Sequence, residues 1–345
     1  SRPSCARRYD SISQTGTIMN RLKNKKILLI MPFFYHYEDA IRAHLERTGA
    51  EVWLVDTNIH AYGLGKKLVM FYTKALRDRL VYRYYERALR DVPDTLDEVM
   101  IIKGTWMTDE VLHALHARFA SADFRIYHWD SVATFPDQLR INRFFTKIYT
   151  FDPVDAAQYG WIYRPTFFEE EICHPSEEKR YDFLLICSMH TRRMEVLRKL
   201  KALAEKQQKT LYSYIYVPRL QYIRETLLRH NPLYEGARDA LHFQPLPQAE
   251  TYALYPHTRC IVDYTFPQQN GFSMRTYDAM GCRCKLLTNN PHVKDADFYD
   301  PQNIYVYDPD HFEIPADFLD TPYRALPAEI YDRYRLDGFL QELFG

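Results

Sequence analysis

The chain has no run of about 18 apolar residues, so no membrane-spanning helix is expected. It has no net charge either, because 45 Lys and Arg balance 45 Asp and Glu. No global field therefore recruits nucleic acid, and no RNA- or DNA-binding signature is present. Its six cysteines show no paired spacing beyond Cys282-Arg283-Cys284, and no second Cys/His pair lies near those two. A zinc site is not expected. Cys187 and Cys260 sit beside strand-like runs and read as buried thiols in a reducing cytoplasm. The opening residues lack the apolar stretch of a secretory signal. Residues 1–18 read as a disordered leader or an expression remnant. No solenoid-type repeat occurs.

What is present is a soluble composition, 46% hydrophobic and 26% charged, with 345 residues for two ordinary domains. Strand and helix patterns alternate, which argues for parallel α/β architecture. Lys26–Met31, Glu51–Asp56, Val99–Lys103, Phe124–His128 and Lys147–Phe151 read as strands. Helices are expected at 37–48, about 66–92 and near 108–119. A proline-rich, acidic stretch at 164–180 reads as a linker. The alternation restarts at Tyr181–Ile186 and continues through a helix near 191–206. Strands follow at 211–217, 241–244, 259–264, 284–288 and 303–307, and an amphipathic helix at 327–344. The domain boundaries are placed at 19–170, 171–325 and 326–345. Two Rossmann-like domains facing a central cleft are expected, with ligands at the C-terminal ends of their strands.

The most informative stretch is Gln268-Gln269-Asn270-Gly271-Phe272-Ser273-Met274-Arg275-Thr276-Tyr277-Asp278, then the strand Lys285-Leu286-Leu287-Thr288. Gly271 permits close backbone approach. Ser273 can cap a short helix whose first N–H groups suit a phosphate. Arg275 adds a charge in that turn, and Asp278 could take two ribose hydroxyls. The alternative is a capped helix between two strands with Asp278 merely solvated. At the start of the second domain, Cys187-Ser188-Met189-His190-Thr191-Arg192-Arg193 opens a helix, and Arg192 or Arg193 could clamp a diphosphate. Two exposed helix arginines are the plainer alternative.

In the first half, His36 or Glu38, after the first strand, could deprotonate an acceptor hydroxyl. Glu38 could equally be a helix-start charge. Asp130, ending a strand in Tyr127-His128-Trp129-Asp130-Ser131, is the first choice of base, with turn capping as its alternative. Residues 66–90 carry eight Lys/Arg and two acids, with Arg79, Arg83 and Arg87 among interleaved tyrosines. That helix suits an anionic membrane surface or an anionic acceptor, or is simply an exposed charged helix. Gly63-Leu64-Gly65 lacks the third glycine of a dinucleotide fingerprint. Asp308-Pro309-Asp310 opens a turn after a strand. His113 and His116 lack a third ligand.

The segments 129–131, 150–155 and 268–290 resemble bacterial lipopolysaccharide or capsule glycosyltransferases of the two-Rossmann GT-B type. In those, the donor segment runs roughly Gln-x-Gly-Leu-Thr-x-Arg, a Glu, then Lys-Leu-Ile-Thr-x-Asn. Here Phe272-Ser273 replaces Leu-Thr and Asp278 replaces the Glu. The resemblance implies a nucleotide-sugar donor held by Arg192, Arg193, Gln269, Gly271, Ser273, Arg275 and Asp278. It also implies a glycan or lipid-linked acceptor in the first domain, no metal or other cofactor, and a C-terminal helix crossing back to that domain. The implied protein is cytoplasmic, with peripheral contact at the inner membrane face. Two other readings are a nucleotide-sugar epimerase or hydrolase, and a non-catalytic binding protein that kept the fold.

Overall fold

The computed structural model describes residues 21–34, 36–58, 73–172, 174–235, 237–266 and 269–345. These fall into two units. The first draws on residues 1–165, 268–271 and 337–345, and the second on 166–267 and 272–336.

The first unit is a parallel sheet of β1 (Lys26–Met31), β2 (Glu51–Asp56), β3 (Glu98–Ile102), β4 (Asp123–His128), β5 (Lys147–Thr150) and β6 (Ile162–Tyr163) in the order β2-β1-β3-β4-β5-β6. Its helices are α1 (Tyr37–Arg47), α2 (Lys74–Ala88), α3 (Asp109–Arg118), α4 (Gln138–Ile141) and α5 (Pro153–Tyr159). Val99 and Ile101 of β3 share a core with Tyr84, Tyr85, Val111 and Leu115 of α2 and α3. Strand residues buried on both faces read as continuous apolar runs, as in β1 and β3.

The second unit holds β7 (Tyr181–Ser188), α6 (Thr191–Lys206), β8 (Leu211–Tyr216), α7 (Arg219–Ile223), β9 (Leu241–His242), α8 (Gln248–Leu254), β10 (Thr258–Val262), α9 (Met274–Gly281), β11 (Lys285–Thr288), β12 (Ile304–Val306) and α10 (Ala328–Arg333). The sheet order is β12-β11-β10-β7-β8-β9, all parallel. Successive β10 residues feed opposite cores. Cys260 and Val262 join Phe183, Met194 and Leu197, while Ile261 joins Leu184, Tyr277 and Leu286. Cys187, Cys260, Cys282 and Cys284 are buried free thiols.

The last helical pattern divides in two. Phe168 N donates to Tyr334 O at 2.9 Å and Leu336 N donates to Phe168 O at 3.1 Å, so a β-bridge interrupts the helix. Beyond it, α11 (Leu336–Phe344) supplies Phe339, Leu343 and Phe344 to the first unit. Phe339 meets Tyr127 edge-on at 5.0 Å, and buried Arg125 donates to Leu343 O at 2.7 Å. The expected return of the C-terminal helix to the first domain is therefore present. The stretch read as a linker contributes Phe167, Phe168 and Ile172 to the interior, each 0% exposed, because its aromatic pair precedes the charged run. The expected helix at 66–92 is described from Lys74 onward. Lys66, Lys67, Phe71, Tyr72 and the Gly63-Leu64-Gly65 motif lie outside the described residues.

Candidate functional site

At the C-terminal edge of the second sheet, Arg275 leaves the first turn of α9 and reaches the ends of β7 and β10. Its Nη1 bonds Asp263 Oδ1 at 2.8 Å, and its Nε donates to Ile186 O at 2.9 Å. Asp263 is wholly buried at the end of β10, and its other oxygen accepts from Thr265 Oγ1 at 2.9 Å. Arg193, in the first turn of α6, donates to Ser188 O at 3.1 Å and stacks on Phe266 with 4.9 Å to the ring centroid. Burial, then repulsion from Arg275, holds the Arg193 pKa below its ordinary value. Asn289, after β11, closes the same edge by accepting from Thr265 N at 2.7 Å and donating to Thr265 O at 2.9 Å. Arg193 and Arg275 therefore lie near enough to repel one another, and Asp263 pairs with Arg275.

Arg192 does not join that cluster. It faces outward and binds Glu195 at 3.0 Å and Asp310 at 2.9 Å. Neighbouring residues on a helix point about 100° apart, so only one of the pair reaches the strand ends. Asp310, in the turn Asp308-Pro309-Asp310, is the partner of this surface arginine. Ser273 occupies the N-cap position of α9 with extended backbone, but its hydroxyl makes no capping bond and is buried without a partner. The expectation that it caps the helix is corrected on that point.

Asp278 is not the solvated carboxylate of the plainer alternative. It is 5% exposed, on the inner side of α9. Its Oδ2 accepts from Tyr255 OH at 3.1 Å, and its Oδ1 has no partner. Burial raises its pKa from the ordinary 3.8 to about 7, against the opposing pulls of Tyr255 and Arg275. Glu169, also buried, accepts from Gln248 at 2.9 Å and from Tyr252 at 2.6 Å, and adds to the upward shift. Sequence reasoning missed Asp263, Tyr255 and Glu169. Asp263 had a legible signal, since an acid directly after the strand run Thr258–Val262 stands where such sheets bind ligands.

Gln269, Asn270 and Gly271 belong to the first unit. Asn270 donates to Asp152 at 3.3 Å, and a Cβ at Gly271 would lie 2.4 Å from the Phe151 ring. Close approach is what Gly271 provides, to protein side chain and backbone. Asp152 and Asp155 serve locally. Asp152 caps α5 by accepting from Val154 N at 2.9 Å, and Asp155 accepts from Val132 N at 2.7 Å.

At the strand ends of the first sheet, Trp129 packs with Phe34 at 5.3 Å and Tyr37 at 5.7 Å between ring centroids. Asp130 follows Trp129 and pairs with Lys103 at 2.8 Å, both about a third exposed. Lys103 adopts left-handed backbone at φ 70°, turning the chain after β3. Glu38 is buried at the start of α1, accepts from Phe34 N at 3.2 Å, and has a pKa raised by burial. His36 is 81% exposed beside Asp39 at 3.6 Å. Trp129, Asp130 and Glu38 therefore share one neighbourhood, with His36 on its outer rim.

Arg79, Arg83 and Arg87 lie at i, i+4 and i+8 on the exposed face of α2, and Tyr84 and Tyr85 fill its buried face. A cavity of about 540 Å³ between α2 and α3 is lined by Arg83, Arg87, Arg90, Leu89 and Leu115. Its α2 lining lies in the C-terminal half of that helix and just beyond it. His116 stacks on Phe124 at 3.7 Å and so packs rather than ligates.

Two parallel six-stranded sheets in this order, each flanked by helices, with the last helix returned to the first unit, are the GT-B architecture. No protein-family model matches the chain, and no curated protein matches it in sequence. Among solved structures, Alr3699/HepE of Anabaena, crystallised with UDP-glucose, is similar at a TM-score of 0.60 and 14% identity, over 93% of this chain and 98% of that one. A glycosyltransferase from Rickettsia africae gives 0.52 at 10% identity, over 93% and 92%. The UDP-GlcNAc 2-epimerase of Methanocaldococcus jannaschii gives 0.51 at 10%, over 86% and 90%. Among the described residues no helix is long and apolar enough to cross a membrane.

Proposed function

We propose that the protein is a glycosyltransferase that moves a sugar from a nucleotide-sugar donor to a glycan or lipid-linked acceptor in bacterial surface-polysaccharide assembly. The observation that carries this reading is the closeness of two guanidiniums, Arg193 and Arg275, beside the first turn of α9, with the one neighbouring carboxylate, Asp263, paired to Arg275. A diphosphate suits that imbalance, and Arg193 is the group with donors to spare for it. Arg275, held by Asp263 and Ile186 O, contributes its charge from behind. Asp278 is the ribose-binding candidate because its Oδ1 has no protein partner, and contact with a ribose requires that buried oxygen to be uncovered on binding. The chemistry is displacement at the anomeric carbon, with the cations stabilising the departing diphosphate. In the first unit, Trp129, Phe34 and Tyr37 offer faces for a sugar ring. Asp130 is the base, and Glu38 is the second choice because burial favours its protonated form. The arginine face of α2 suits an anionic acceptor or membrane surface. No metal is needed in this scheme.

The test is thermal stabilisation by UDP, GDP, CMP, dTDP and ADP, repeated with Arg193→Ala and Asp278→Ala. One nucleotide should raise the melting temperature, and both substitutions should abolish the shift. No shift with any of them at millimolar concentration would move the reading to a non-catalytic binding protein. Conversion of the matching nucleotide sugar without acceptor would move it to an epimerase or hydrolase, a chemistry found on this fold in the Methanocaldococcus enzyme.

A further inference from the structure

Among the described residues, the three most exposed large apolar side chains are close neighbours: Leu220 at 81%, Leu228 at 76% and Leu227 at 66%. Ile223 at 47% extends the same surface, as does Phe243 at 40%, which packs on Tyr222 at 5.2 Å. An exposed cluster of this kind marks an interaction surface. The segment is firmly seated on its other side. Tyr222 packs toward the core against Tyr234 at 5.8 Å. Glu225 is buried and accepts from Arg229 at 2.9 Å and Asn231 at 3.2 Å. After α7, residues 224–228 form a π turn closed by Arg229 N donating to Arg224 O at 3.0 Å. The wider turn leaves Leu227 and Leu228 both outside.

We propose that residues 219–229 form a docking surface for an anionic lipid bilayer, with the leucines entering the boundary between headgroups and acyl chains. Charge complementarity selects this occupant. Arg219, Arg224 and Arg229 share the segment with the leucines; Arg224 and Arg229 both pair with its one carboxylate, the buried Glu225, and the segment still keeps a net positive charge. Aliphatic side chains in company with arginine suit a lipid interface. Protein interfaces concentrate their binding energy in Trp, Tyr and Arg, with leucine under-represented. The segment follows β8, which pairs with β7, the strand whose end carries Arg193's partner Ser188. On the reading above, docking would hold the nucleotide-sugar site near a lipid-linked acceptor. The docking itself does not depend on that reading.

The experiment is flotation of the full chain with vesicles of phosphatidylcholine alone or with about 30% phosphatidylglycerol. The protein should float with the anionic vesicles and not with the neutral ones. Leu220→Ser/Leu227→Ser/Leu228→Ser should lower the bound fraction by about tenfold or more with an unchanged melting temperature, because these side chains are exposed. Arg219→Glu should weaken binding several-fold. Three results would each overturn the proposal: no flotation of the parent chain with either vesicle, equal flotation of the triple variant, or a parent dimer that the triple variant converts to monomer without any vesicle binding. Nucleotide stabilisation of the triple variant reports on the donor reading separately.

Discussion

At the end of the second sheet, charge is held inside the protein. Arg275 lies over a carboxylate with no exposure, Arg193 is half-buried on a phenylalanine ring, and Asp278 is buried with one oxygen unpartnered. At the end of the first sheet, the pair of Lys103 with Asp130 is about a third exposed. The difference teaches where stability and binding are entangled. Buried charges lose hydration and depend on their partners, so removing one strands the other. Exposed pairs are screened and contribute little. Substitutions of charged groups at the second sheet's end should therefore cost stability as well as ligand binding, while substitution of the Lys103–Asp130 pair at the first sheet's end should separate the two.

The largest expected effect tests the buried side directly. Arg275→Ala leaves the Asp263 carboxylate buried without its cation and should destabilise the protein by about 3–5 kcal/mol in chemical denaturation. Lysine at 275 should recover part of this, since it restores the charge without the fork that reaches both Asp263 and Ile186 O. A loss under about 1 kcal/mol for the alanine variant would place the pair in the exposed class. Next is Gly271→Ala. Its new Cβ would meet the Phe151 ring at 2.4 Å and the Phe151 carbonyl at 2.8 Å. The backbone oxygen cannot rotate away, so overpacking should cost about 1–3 kcal/mol. If Gly271 instead served only a ligand, the unliganded variant would melt like the parent.

Much of this contrast was legible in the residues. The apolar runs fixed by two-sided burial, such as Lys26–Met31 and Tyr181–Ile186, announce parallel strands, and Gly49 and Pro93 bracket helices beside them. The strand-end positions of Asp130 and Arg193 followed from the same alternation. Side-chain direction was not legible. Arg192 and Arg193 are adjacent and chemically identical, and only the helix phase sends one to Asp310 and the other to the strand ends. Asp278 reads as polar and surface-facing, but the inner side of α9 takes it among Tyr255 and buried apolar groups. The break at Tyr334 was hidden because its cause, Phe168, is distant in sequence.

The third test uses pH. Asp278 binds its proton more tightly in the folded chain, at about 7 against an ordinary 3.8. The folded state therefore holds more protons between those values, and its stability should fall as pH rises from about 4 to about 7, then level off. Below about 4 the contribution is fully present. Asp278→Asn should flatten that slope, and an unchanged slope in urea midpoints across the range would show that the carboxyl is not buried as described.

The smallest effect belongs to the exposed pair. Lys103→Met removes the cation from Asp130, and because both side chains are about a third exposed, the midpoint of unfolding should move by no more than about 1 kcal/mol. What should move is chemistry. If Asp130 is the base, Asp130→Asn should lower turnover by about 10²–10⁴-fold while the melting temperature stays within a degree or two of the parent. If Asp130 only anchors Lys103 and its turn, the two substitutions should act alike on stability and Asp130→Asn should leave turnover within a few-fold of the parent. A destabilisation of several kcal/mol by Lys103→Met would erase the contrast between the two sheet ends, because it would mean that the Lys103–Asp130 pair behaves as a buried one.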